Sequence, residues 1–165
     1  MIKTMVDDLM VQQQIRGPHK KWKHMVGVMC LNLTYRKQVK IILPKLFARY
    51  PNPEAYLRGR LATQQRMLKP LGMWDVRSKR IRKMTEQYLN WDGMEASDLH
   101  GIGKYGSDSY QIFFFNNIPP DVQDKDISLA KDKIQCISVV NDKISAEYKK
   151  VFTTVVVPDK PKIIV

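Results

Sequence analysis

Apolar residues recur every three or four positions through the first two thirds of the chain, and that spacing predicts a series of helices. Trp22, Met25, Val26, Met29, Cys30 and Leu33 stand at i, i+3, i+4, i+7, i+8 and i+11, one stripe along a helix. Val39, Ile42, Leu43, Leu46 and Phe47 form a second stripe. It stops before Tyr50-Pro51-Asn52-Pro53, since proline lacks the amide that a continuing helix needs. Glu54 to Leu68 fits a further helix, Lys69-Pro70-Leu71-Gly72 a turn, and Asp75 to Leu89 a helix carrying Arg77, Lys79, Arg80, Arg82 and Lys83. A mildly amphipathic lead precedes them, closed by Gly17-Pro18. The pattern through Phe115 is all-α. Beyond Pro119-Pro120 the texture changes: residues 127–141 fit a helix, whereas 151–157 and 163–165 are β-prone. The expected organisation is a lead over 1–18, a helical domain over 19–135 and a divergent, β-prone or poorly ordered tail over 136–165.

Charge adds a partner to this picture. The 165 residues carry a formal net charge of +12. Residues 111–165 hold 8 basic and 7 acidic side chains, so the excess lies almost wholly in the first 110. A cationic surface of that size points to a polyanion. Cys30 and Cys136 are the two cysteines, too few for an iron–sulfur cluster or a four-thiolate zinc site, and Cys30 sits in an apolar run as a core filler. His19, His24 and His100 lack metal-ligand spacing and are expected at the surface or in the turn they flank. No metal is expected. No run of about 18 apolar residues is present, and the opening Met1-Ile-Lys-Thr-Met-Val-Asp-Asp lacks the order of a signal peptide. The expectation is an intracellular, soluble chain with no membrane partner.

The segment richest in chemistry is Leu99-His100-Gly101-Ile102-Gly103-Lys104-Tyr105-Gly106-Ser107-Asp108-Ser109-Tyr110. An apolar residue between two glycines makes a tight turn, because glycine accepts positive φ and leaves the backbone bare. Ser107 and Asp108 are expected to cap a helix whose apolar side is Tyr110, Ile112 and Phe113 to Phe115. A bare turn running into a helix N-terminus presents amides to an anion such as a phosphate.

That string resembles the hairpin of the helix-hairpin-helix DNA glycosylase superfamily, most closely the catalytic domain of its mismatch-specific thymine/uracil glycosylases. Other blocks agree in order. Trp22 leads into Leu31-Asn32-Leu33-Thr34, like the family's Trp before Leu-Asn-Arg-Thr. Lys69-Pro70-Leu71-Gly72-Met73 is similar to its Lys-Pro-Leu-Gly-Leu, and Asp75-Val76-Arg77 to its Asp-Leu-Arg. The likeness covers roughly residues 11–130. It implies an all-α helix-hairpin-helix fold of two helical lobes with a cleft, followed by the divergent tail. It further implies double-stranded DNA as partner, a monomer, no iron–sulfur or other cofactor beyond a monovalent cation at the hairpin, and a nuclear location if the source is eukaryotic.

The resemblance also assigns roles. Gly101, Ile102, Gly103, Lys104 and Gly106 would grip the DNA backbone; the charge run itself, Arg77 and Lys79 with Arg80, Arg82 and Lys83, offers either further phosphate contacts or a solvated face. Leu33 and Met73 occupy the family's two stack-filling positions, although leucine cannot make an arginine's polar contacts, and Leu33 also fits the first helix's core stripe. Strand-nicking relatives carry a Schiff-base lysine two residues after the second glycine. Tyr105 stands there, which implies a monofunctional enzyme that leaves an abasic site. Cleaving an N-glycosidic bond builds positive charge on the sugar, so a carboxylate is needed nearby. Val122, Asp126, Leu129 and Lys131 match the family's context for it, making Asp126 the expected base and Asp124 the second candidate. Tyr105 would line the pocket of a flipped thymine or uracil drawn from a G·T or G·U mispair, where extrusion costs least. The alternative is a catalytically inactive helix-hairpin-helix DNA-binding module whose altered end fails to place the carboxylate. A third reading is a protein-interaction domain that pairs through the tail's β-prone segment.

Overall fold

The computed structural model describes residues 11–117 and 119–121. The chain divides into two compact units at the Ser107–Asp108 boundary. Among the described residues every regular element is helical. The elements are α1 (Val11–Gln14), α2 (Lys20–Leu31), α3 (Arg36–Arg49), α4 (Pro53–Arg58), α5 (Leu61–Leu68), α6 (Trp74–Tyr88) and α7 (Lys104–Phe115), with 3-10 turns at Lys69–Leu71 and Ala96–Asp98. The all-α expectation holds wherever it is described. The β-prone tail and Cys136 lie outside the described residues.

In the first unit the core is built around α2. Trp22, Met25, Val26 and Cys30 are fully buried, as the stripe predicts. The indole N–H of Trp22 donates to Thr85 Oγ1 at 3.1 Å, and that hydroxyl donates onward to the Ile81 carbonyl at 2.7 Å. The Trp22 ring also packs against Phe47 and Tyr56, at centroid distances of 5.8 and 6.0 Å, so one side chain joins α2, α3, α4 and α6. Val39, Ile42, Leu43 and Leu46 are the buried face of α3, and Pro44 sits on its exposed side.

Three expectations are corrected. Glu54 to Leu68 is two helices rather than one. The chain turns at Gly59, where a Cβ would stand 2.5 Å from the Tyr50 ring and 2.9 Å from Gln64 Nε2, so the break is packed against side chains that only glycine admits. Leu33 is not in the α2 stripe, because α2 ends at Leu31 and Leu33 lies in the following loop. His24 is a core residue, not a surface one, and burial drives its pKa down to about 3. An imidazole withdrawn from water resists taking a charge.

In the second unit Tyr110, Ile112 and Phe113 of α7 are buried, and Tyr110 meets the rings of Phe114 and Phe115, each at 5.2 Å. Asn116 then adopts a left-handed backbone, φ 51°, and the Asn117 amide reaches back to the Gln111 carbonyl at 3.1 Å, closing the helix.

Candidate nucleic-acid interface

The glycine turn forms as its residues require. Leu99 and Ile102 are buried anchors, and the Ile102 amide donates to the Leu99 carbonyl at 3.1 Å. Between them Gly101 takes φ +80°, a left-handed conformation that glycine adopts without Cβ strain. The His100 amide is held by the Gln87 side-chain oxygen at 2.6 Å, which ties the turn to the end of α6. Gly103 is exposed, and a Cβ there would meet nothing within 4 Å, so its backbone faces open space. Gly106 is the opposite case. A Cβ there would stand 2.8 Å from both Ile102 Cγ2 and Val28 Cγ1, which lets the first turn of α7 lie directly on α2.

Helix α7 begins at Lys104, three residues before the expected start. Ser107 and Asp108 therefore lie inside it and do not cap it. The Ser107 amide already makes a helical bond to the Gly103 carbonyl at 3.0 Å. The consequence favours anion binding, because the positive end of the helix dipole now falls on Gly103, Lys104 and Tyr105 themselves. Lys104 is exposed there, and Tyr105 is half-buried with its hydroxyl accepting from Gln12 Nε2 at 2.8 Å.

A second feature lies beside it, where α2 ends. Two loops, residues 32–35 and 71–73, each present an apolar residue to solvent from a left-handed backbone. Leu33 has φ 54° and is 81% exposed; Met73 has φ 47° and is 49% exposed. A non-glycine residue pays steric strain in that region of conformational space, usually where a function requires the geometry. Beside them stand Tyr35 and Trp74, both exposed aromatics. Sequence reading missed these two, because each is in phase with the buried stripe of its helix, Tyr35 with Val39, Ile42 and Leu46, and Trp74 with Ser78 and Ile81, yet stands exposed at the helix start.

Arg77, expected to grip phosphate, faces inward instead and is buried. Its Nη1 donates to the carbonyls of Met29 and Cys30, at 2.6 and 3.1 Å. Its Nη2 meets the Asn32 carbonyl at 3.1 Å, Thr34 Oγ1 at 2.9 Å and the Leu71 carbonyl at 3.4 Å, and Nε meets the Gly72 carbonyl at 3.3 Å. The cation thus sits at the negative end of the α2 dipole and receives its last carbonyls. Burial lowers the Arg77 pKa, with Cys30 opposing, and pushes the Cys30 thiol up to about 12, with Arg77 opposing. A guanidinium nevertheless stays charged, and the thiol stays protonated.

The remaining cations of α6 divide. Lys79 is exposed and pairs with Asp75 at 2.9 Å, while Arg80 and Lys83 are also exposed. Arg82 turns back to the carbonyls of Leu57 and Gly59, at 2.6 and 3.1 Å, and so supports the Gly59 break. Residues 28–30 of α2 bring the hairpin and the two loops together: Val28 meets Gly106, Met29 Cε lies 2.8 Å from where a Gly101 Cβ would be, and Met29 and Cys30 hold Arg77. The expected bases Asp126 and Asp124 lie outside the described residues.

This arrangement is the helix-hairpin-helix DNA glycosylase fold. An endonuclease III solved in a non-covalent complex with DNA superposes with a TM-score of 0.57 at 17% identity, over 70% of this chain and 56% of that one. A thermostable thymine-DNA glycosylase superposes at 0.58 with 20% identity, over 66% of this chain and 52% of that one. In sequence the chain is similar to a methyl-CpG-binding domain protein 4-like protein of Arabidopsis thaliana, 30% identical over 99 residues. Those residues are 60% of this chain and 22% of that protein. The chain therefore spans about a fifth of its curated relative and about half of each solved neighbour. No family model matches it.

Proposed function

We propose that the chain binds double-stranded DNA and hydrolyses the N-glycosidic bond of a thymine or uracil mispaired with guanine, leaving an abasic site in an uncut strand, an opening step of base excision repair. The observation that carries this reading is the hairpin: an open Gly103 backbone at the N-terminal end of α7, followed by Tyr105 where strand-nicking relatives have lysine. In this mechanism the amides around Gly103 hold a phosphate and fix the duplex. The mispaired nucleotide swings out, and Tyr105 lines the pocket that receives it. A water oxygen attacks C1′ as the bond from C1′ to the base nitrogen breaks. The base leaves with the bonding pair and takes up a proton. Asp126, or failing it Asp124, accepts the water proton and stabilises the positive sugar. A monovalent cation at the turn would be held by hard carbonyl oxygens. The backbone carbonyls of the turn over residues 99–103 would supply them. The protein acts as a monomer, in the nucleus if its source is eukaryotic. Among the described residues no helix is long and apolar enough to cross a membrane.

A single-turnover assay on G·U and G·T duplexes tests this. The expected result is release of free base, with strand scission only after alkali. Asp126→Asn should slow release by about a hundredfold or more while retaining binding. Intact substrate under conditions where the complex demonstrably forms would overturn the enzyme reading and leave a DNA-binding module.

A further inference from the structure

Nη2 of Arg77 touches both exposed loops at once, reaching Asn32 and Thr34 on one side and Leu71 on the other. Thr34 Oγ1 closes the same triangle, lying 3.2 Å from the Leu71 carbonyl. Each loop carries one apolar residue that is both strained and exposed, Leu33 and Met73. Neither side chain recovers its strain through burial, so the geometry is imposed by the surroundings. The common constraint is one buried guanidinium, whose rigid fork of donors suits several carbonyls at fixed angles.

We infer that Arg77 is the positioning residue of a two-loop apolar wedge, holding Leu33 and Met73 at a set separation so that both enter a base stack together. The inference rests on the DNA reading above, and its partner is the duplex gap left by an extruded nucleotide. An apolar side chain fills such a gap by displacing stacked base surface, which a mobile loop does poorly. Arg77 touches no DNA in this account. It acts through the other two residues.

The test is a double-mutant cycle, read as the ratio of affinity for a G·U duplex over the matched G·C duplex, with 2-aminopurine beside the mispair reporting unstacking. Leu33→Ala should lower the ratio about tenfold in the native background and less than about twofold in an Arg77→Lys background, because the wedge is already unlatched there. Thr34→Val, on a half-buried and less central partner, serves the same purpose if Arg77→Lys folds poorly. Equal factors in both backgrounds would overturn the positioning role, as would an Arg77→Lys loss that falls equally on matched and mispaired duplex. A native protein with no preference for the mispaired duplex would instead overturn the DNA reading, and the wedge with it.

Discussion

The Gln12 side-chain amide donates to the Tyr105 hydroxyl at 2.8 Å, so a residue of α1 orients the aromatic ring at the head of the hairpin helix. The two positions are 93 residues apart in sequence. The Tyr105 hydroxyl is thereby anchored to a segment far upstream of the hairpin.

If that bond sets the pocket, removing either partner should have one effect. Tyr105→Phe and Gln12→Leu are each expected to slow base release about tenfold, equivalent to one hydrogen bond of about 1.4 kcal/mol. The double variant should be no slower than the worse single. Single-turnover rates check this, and multiplicative losses would show that the two side chains act separately.

Gly103 and Gly106 should respond oppositely to alanine. At Gly106 the new methyl meets Val28 and Ile102 at 2.8 Å, and overpacking of about 1–3 kcal/mol outweighs the roughly 1 kcal/mol of helix propensity gained. Thermal melting should fall by several degrees. At Gly103 the methyl meets nothing, so stability should stay within about 0.5 kcal/mol, while duplex affinity should fall if the methyl stands in the path of the proposed phosphate. A Gly103→Ala protein that binds DNA normally would remove the hairpin from the interface.

His24 makes stability depend on pH. Its folded pKa of about 3 lies below the ordinary 6.5, so the unfolded chain binds a proton that the folded chain refuses. The stabilisation is fully present above pH 6.5 and is lost as pH falls from there towards 3. Melting temperatures should decline across that window, and His24→Gln should flatten the decline even if it lowers stability throughout. The His24 ring resonances should not titrate between pH 5 and 8.

The cations of α6 should separate by salt dependence. Lys79→Ala, Arg80→Ala and Lys83→Ala, all at exposed positions, are each expected to reduce the slope of log affinity against log salt by about 1 if the side chain meets a phosphate. Arg82→Ala should leave that slope unchanged and lower the melting temperature, since its guanidinium holds the Leu57 and Gly59 carbonyls. Titration by fluorescence anisotropy at several salt concentrations distinguishes them.

What could be read from the chain alone was what depends on near neighbours. The stripe from Trp22 to Cys30 follows from helical period, and the Gly101 turn from the freedom of a residue without Cβ. Leu33 continues the arithmetic of that stripe but not the helix, because the group that receives the last α2 carbonyls is Arg77, far along the chain. Arg77 itself looked like one more cation on a basic face. A charge pattern does not say which face turns inward, and only the packing of α6 against α2 does. Gly59 failed for a similar reason: the Tyr50 ring that requires a glycine there comes from the end of α3. Ser107 and Asp108 are good capping residues locally, yet Gly103 starts the helix first. The carboxylate expected at Asp126 rests on resemblance, beyond the described residues.

The shared guanidinium has a consequence for how this surface can change over generations. Which side chain occupies position 33 or 73 is open, since neither contributes an atom to the tie. The number of residues in each loop is not, because one insertion would carry Asn32 or Leu71 out of reach and slacken the opposite loop as well. Relatives that keep the buried guanidinium should therefore tolerate exchange of one apolar fingertip for another more readily than any change in the length of either finger.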